Sequence, residues 1–149
     1  MKKSKIAVIL SILLKIIFII GVICLFFLPQ LYNIFSGIEI AFEQQTIWYM
    51  SAFYLCYLVS LLLILELIRI FDNIYKDSPF KKQTELSLKR IAILFMVLAI
   101  VVAVKTIFIP TILSIAVAVI TFIASLSFYV LSQIFKVAIE YKQEVDYTV

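Results

Sequence analysis

Apolar residues in this chain form long, nearly unbroken runs, without the short alternation of a half-buried strand. The first run covers about 6–28 and is closed by Pro29. The second covers about 47–71. A third stretch runs from Ile91 to Phe135. As one helix it would be about 68 Å long, more than twice the ~30 Å of bilayer hydrocarbon. It must turn back, and Lys105 and Pro110 supply the break: a charge for the interface and a residue that cannot continue a helix. The stretch therefore divides into spans of about 91–109 and 111–135. Closed β-barrels also cross membranes, but these runs are too long and lack strand alternation. The pattern predicts an all-α polytopic membrane protein, with four transmembrane helices in an up-and-down antiparallel bundle. An inner loop, 72–90, and a tail, 136–149, lie outside the spans.

Composition agrees. Of 149 residues, 65% are apolar and 15% charged, with mean hydropathy +1.18. A soluble domain is about 45–50% apolar and about 25% charged. A chain this small has too little interior to hide the excess from water, which excludes a soluble globule as well as disorder. There is no His, so the commonest general base and metal ligand is missing. Cys24 and Cys56 lie in apolar runs with no CxxC spacing and read as small buried hydrophobes. No cofactor, metal site or catalytic residue set is expected, and the chain reads as a non-enzyme. The start, Met1-Lys2-Lys3-Ser4-Lys5, resembles a signal peptide. Lys15 interrupts the apolar region, no A-x-A site follows, and Ile23 fills the position of Gly21-Val22-Ile23-Cys24 where a lipobox needs a small residue. An uncleaved first span is expected.

Charge sets the orientation. Lys2, Lys3 and Lys5 precede the first span; Lys76, Lys81, Lys82, Lys89 and Arg90 lie between spans two and three; Lys136 and Lys142 follow the fourth. The loop from Pro29 to Thr46 has Glu39 and Glu43 but no Lys or Arg, and the turn between spans three and four has only Lys105. The positive-inside rule then puts both termini in the cytoplasm. The net charge of +4 needs no nucleic acid, because the basic residues sit where topology wants them.

The loop from Pro29 to Thr46 carries Leu31, Tyr32, Ile34, Phe35, Ile38, Ile40 and Phe42, and reads as an interfacial segment with a short amphipathic helix. Trp48 and Tyr49 read as the aromatic belt of span two. In the inner loop, Ser78 before Pro79 marks a turn or helix start, and Thr84 is a good N-cap leading into span three. The loop is either an ordinary cytoplasmic turn or a docking surface, with Ser78, Pro79 and Phe80 as the candidate contacts.

Lys15, Glu66 and Arg69 fall within the spans as intramembrane charges. A lone Lys or Arg at a helix centre is unfavourable by ~2.5–3.5 kcal/mol, so these groups should pair or snorkel. By depth, Lys15 and Glu66 differ by only ~6 Å, within reach of a lysine stem. A Lys15–Glu66 pair is expected, with Arg69 as a second partner of Glu66; the alternative is that Lys15 and Arg69 snorkel separately. Small residues mark packing faces: Ser114, Ala118, Thr121 and Ser125 in span four, and Ala92, Ala99 and Ala103 in span three. These predict a tight hairpin of spans three and four, or a homo-oligomer contact.

Ser78-Pro79-Phe80, Thr84 followed by Leu88 and Ile91, and the end Glu144-Val145-Asp146-Tyr147-Thr148-Val149 resemble a bacterial membrane family, domain of unknown function 2975. The resemblance covers nearly the whole chain. That family's pattern is Pro-Phe, an Asn four residues on, then Leu and Ile-Gly, with a tail of Glu-Asn-Asp-Leu-Thr-Val/Ile. This chain has Thr84 for Asn, Ala92 for Gly, Val145 for Asn and Tyr147 for Leu. Thr84 keeps the capping chemistry; Val145 loses a polar group. The resemblance implies a four-helix protein of the bacterial plasma membrane without assigned chemistry. It also implies, through genes found beside its members, a membrane partner for a cytoplasmic helix-turn-helix regulator. Glu140, Glu144 and Asp146 make the tail acidic, which suits a basic DNA-binding surface, with Glu144, Asp146 and Thr148 as the candidate contacts; the alternative is a solvated helix end. A regulatory or sensing role is the leading expectation, with the lipid bilayer and a cytoplasmic regulator as partners. The alternatives are an immunity protein against a membrane-active bacteriocin, acting through loop 29–46, and a small transporter subunit using Glu66.

Overall fold

The computed structural model describes residues 5–36, 46–76, 79–108 and 110–148. Five helices follow in order among them: α1 (Lys5–Phe26), α2 (Leu28–Ser36), α3 (Thr46–Lys76), α4 (Lys82–Phe108) and α5 (Ile112–Tyr147). Four of them, all but α2, are long and apolar enough to cross a membrane. The chain is an all-α, multi-pass membrane protein. Ser78, residues 37–45 of the loop after Pro29, and Lys2 and Lys3 lie outside the described residues.

α1 packs on α3, α3 on α4, and α4 on α5. Each pair is antiparallel, because low-numbered positions on one helix meet high-numbered positions on the next: Ser11 meets Asp72, Glu66 meets Arg90, and Phe80 meets Phe135. The bundle thus has one end rich in Lys and Arg, bearing the starts of α1 and α4 and the ends of α3 and α5. Buried apolar side chains run down the α3–α4 seam, including Val59, Leu63, Ile70, Leu88, Ile91 and Leu98. The outward faces are strongly apolar: Ile6, Ile47, Trp48, Ile107, Ile112 and Ile120 are all widely exposed. In water such a surface would aggregate; in hydrocarbon it is the solvated face. Of the two residues read as an aromatic belt, Trp48 is exposed near the start of α3, whereas Tyr49 is turned inward and buried.

The predicted α4–α5 hairpin forms. Ser125 Oγ donates to the Ala92 carbonyl at 2.7 Å, an interhelical bond in a buried position. Ala92, Ala99, Ser114 and Ser125 are all buried. Small side chains allow that approach, and a hydroxyl that bonds across it satisfies itself without water. The stripe continues beyond what the small residues mark: Phe128 stacks on Phe95 at 5.5 Å, and Ser132 and Ile139 are buried. Ala103 lies outside the seam and is exposed.

The helices outrun the predicted spans. Of the inner loop 72–90, residues 72–76 belong to α3 and 82–90 to α4. Of the tail 136–149, residues through Tyr147 continue α5 without a break. Hydrophobicity marks where lipid ends, and backbone bonding does not stop there; Lys, Glu and Gln continue a helix readily. Thr84 is no N-cap: it sits in the first turn of α4, buried at 1% exposure. The Lys81 carbonyl accepts from the Thr84 and Glu85 N–H groups instead. Pro110 breaks the chain as predicted, and Thr111 caps α5 in a reciprocal box with Ser114. Pro29 does not follow α1 as a stop; it lies in the first turn of α2, where its missing N–H is harmless. α2 answers the expectation of a short helix after the first span.

Candidate functional site

Two small polar clusters occupy the Lys/Arg-rich end. On α1, Ser11 and Lys15 are one turn apart and share a face. Ser11 Oγ donates to Asp72 Oδ1 at 2.7 Å, and Lys15 Nζ reaches the same oxygen at 2.9 Å. On α3, Glu66 is buried at 6% exposure. Its Oε1 accepts from Arg69 Nη1 at 2.6 Å and from Arg90 Nη1 on α4 at 3.4 Å.

The expected Lys15–Glu66 pair is therefore not formed, while the Glu66–Arg69 pair is. Axial depth is not what separates Lys15 from Glu66. α3 runs on to Lys76, so both residues lie about ten positions from their helix ends, at nearly one level. Azimuth separates them. The six steps from Glu66 to Asp72 turn the helix by about 240°, so Glu66 looks toward α4 while Asp72 looks toward α1. Lys15 bends toward the helix end to reach it, as a long stem allows.

Residue counting puts these groups near the end of a span. From Trp48, about 20 residues of helix cover ~30 Å and end near Leu67. By that count buried Glu66 falls at the end of a ~30 Å span, and Arg69 and Asp72, both partly exposed, fall just past it. Of these, Ser11, Asp72 and Arg90 were not predicted as partners. Ser11, a lone hydroxyl four residues before Lys15, was the available signal; Asp72 lay just past the drawn span, and Arg90 counted only toward orientation.

α1 approaches α3 closely above this cluster. Tyr57 donates its hydroxyl to the Gly21 carbonyl at 2.7 Å. A Cβ on Gly21 would come within 2.7 Å of Leu61 Cδ2, so a larger residue there would make the end of the Leu61 side chain shift.

At the opposite end, Trp48, Leu55, Val104, Lys105 and Phe108 border an apolar groove of about 300 Å³ between α3 and α4. Lys105 lies 5.2 Å from the centroid of the Tyr49 ring, a cation–π distance. Cys24 and Cys56 are free thiols. Among the described residues no three His, Cys, Asp or Glu side chains converge as metal ligands would.

Of the candidate docking residues, Ser78 lies outside the described residues and Pro79 is partly exposed. Phe80 packs its ring 5.6 Å from Phe135, so part of it is already taken by α5. Glu144 and Asp146 are exposed on the last turns of α5. Thr148 turns its hydroxyl inward, onto the Glu144 and Val145 carbonyls at 3.2 and 2.9 Å. It finishes the helix and does not reach outward. No family model, curated protein or solved structure matches the chain.

Proposed function

We propose that the protein is a non-catalytic membrane component that presents the end of α5 to a cytoplasmic regulatory protein. The carrying observation is that α5 is a single helix of 36 residues, about 54 Å long, against ~30 Å of hydrocarbon. Past Ile139, the last buried residue of the seam, roughly 8 residues, or ~12 Å, of helix project from the bundle. On this projection Tyr141 and Tyr147 are 70% and 90% exposed, beside exposed Glu140, Glu144 and Asp146. An acidic helix with aromatic contacts complements a basic DNA-binding surface. The resemblance to the family called domain of unknown function 2975, and the Lys/Arg excess at this end, support a bacterial plasma membrane setting with both termini cytoplasmic.

Crosslinking and capture from membranes test this, comparing the full chain with one truncated after Lys136. Capture of a helix-turn-helix protein by the full chain alone is the expected result. Identical capture by both chains, or none by either, overturns it.

A further inference from the structure

We propose that a polar cleft between α3 and α4 at the Lys/Arg-rich end binds the phosphate of an anionic lipid headgroup. The cleft has a volume of about 430 Å³, and Arg69, Asp72, Asn73, Gln83, Ser87 and Arg90 line it. Its two arginines come from different helices, and their side chains are 50% and 56% exposed. Each uses Nη1 to hold Glu66 Oε1. A guanidinium carries five N–H donors in a fixed fork, so most of the donors on both remain for a second acceptor. Two forks converging from opposite walls suit a tetrahedral phosphate, which accepts several such bonds at once. Asn73 and Gln83 add amide donors. Ser87, only 3% exposed, places a hydroxyl residue in the buried part of the wall.

The charges favour an anion. The cleft's own lining sets Arg69 and Arg90 against a single carboxylate, Asp72. Asp72 is already held by Ser11 and Lys15. Glu66 is buried, holds both arginines through Oε1 and does not line the cleft, so Asp72 is the one carboxylate in the wall that meets an incoming phosphate. The level of the cleft names the source. It lies where α3 leaves the hydrocarbon, the layer in which headgroup phosphates reside, and basic pockets between helices at that depth take anionic headgroups. This inference is independent of the α5 partner: the cleft and the projecting helix share no residue, and either can fail alone.

Native mass spectrometry of the full chain released from detergent tests it. The probes are phosphatidylglycerol, phosphatidylcholine with the same acyl chains, and inorganic phosphate. The double variant Arg69→Lys/Arg90→Lys keeps the charge opposite Glu66 but loses the forks. Phosphatidylglycerol should bind the wild type about tenfold more tightly than phosphatidylcholine, and the double variant should lose about tenfold, the scale of one charge-assisted hydrogen bond. Gln83→Leu, at an exposed position, guards against misfolding of the double variant and should weaken phosphatidylglycerol binding by about threefold with an unchanged melting temperature. Equal binding of the two lipids, or unchanged phosphatidylglycerol binding in both variants, overturns the proposal. Inorganic phosphate binding as tightly as phosphatidylglycerol overturns the lipid assignment.

Discussion

Glu66 is a buried carboxylate held by two guanidinium groups that are each half in the open. The two sides of that contact are unequal. Removing the charge of Glu66 leaves arginines that water can still reach. Removing an arginine leaves a carboxylate that water cannot. Arg69→Ala is therefore expected to cost about 2 kcal/mol and Glu66→Gln about 1 kcal/mol. Thermal unfolding of both variants in one detergent checks the order; Glu66→Gln as the more damaging change would contradict it. The charges themselves were legible in the sequence, since Lys15, Glu66 and Arg69 interrupt apolar runs. Their pairing was not. Depth along a helix follows from counting residues, but the face that a residue presents depends on how neighbouring helices are rotated. That rotation shows in contacts such as the Tyr57 hydroxyl on the Gly21 carbonyl, between positions 36 apart in the chain.

At the scale of helices, the tightest evidence of specific packing is the α4–α5 seam. Ser125 and Ser127 are two positions apart on one helix but do different work. Ser125 donates across to the Ala92 carbonyl, whereas exposed Ser127 donates back to Ile123 in its own helix. Ser125→Ala should lower stability by about 0.6 kcal/mol, the typical worth of an interhelical bond in a membrane protein, and Ser127→Ala should be near neutral. Matched unfolding titrations of the two variants measure this, and equal effects would contradict the seam. The seam was readable because small residues recur at four- and three-residue steps from Ser114 to Ser125. Its continuation through Phe128, Ser132, Phe135 and Ile139 was hidden, because large and small side chains alternate there. Helix ends were the least legible feature. Hydropathy locates the lipid boundary, while α3, α4 and α5 all run past it. The cap at Thr111 was missed for a related reason: its box closes with Ser114 in place of the usual Glu or Gln.

For the whole molecule, four spans follow from the length of the apolar runs alone, and the structure has four helices fit to make them. Antiparallel neighbours then place the start of α1 at one end together with the polar cleft, the projecting end of α5 and most of the described Lys and Arg residues. Both functional proposals need that end to face a particular environment, the α5 partner above all. Cysteine accessibility tests this most directly. In a Cys24→Ser/Cys56→Ser background, single cysteines are placed at Ile112 and Tyr147, which are 89% and 90% exposed at opposite ends of α5. Intact cells are treated with a membrane-impermeant maleimide before and after permeabilisation. Ile112→Cys is expected to label in intact cells and Tyr147→Cys only once the membrane is opened. Labelling of Tyr147→Cys in intact cells would put the α5 extension outside, where no cytoplasmic partner could meet it.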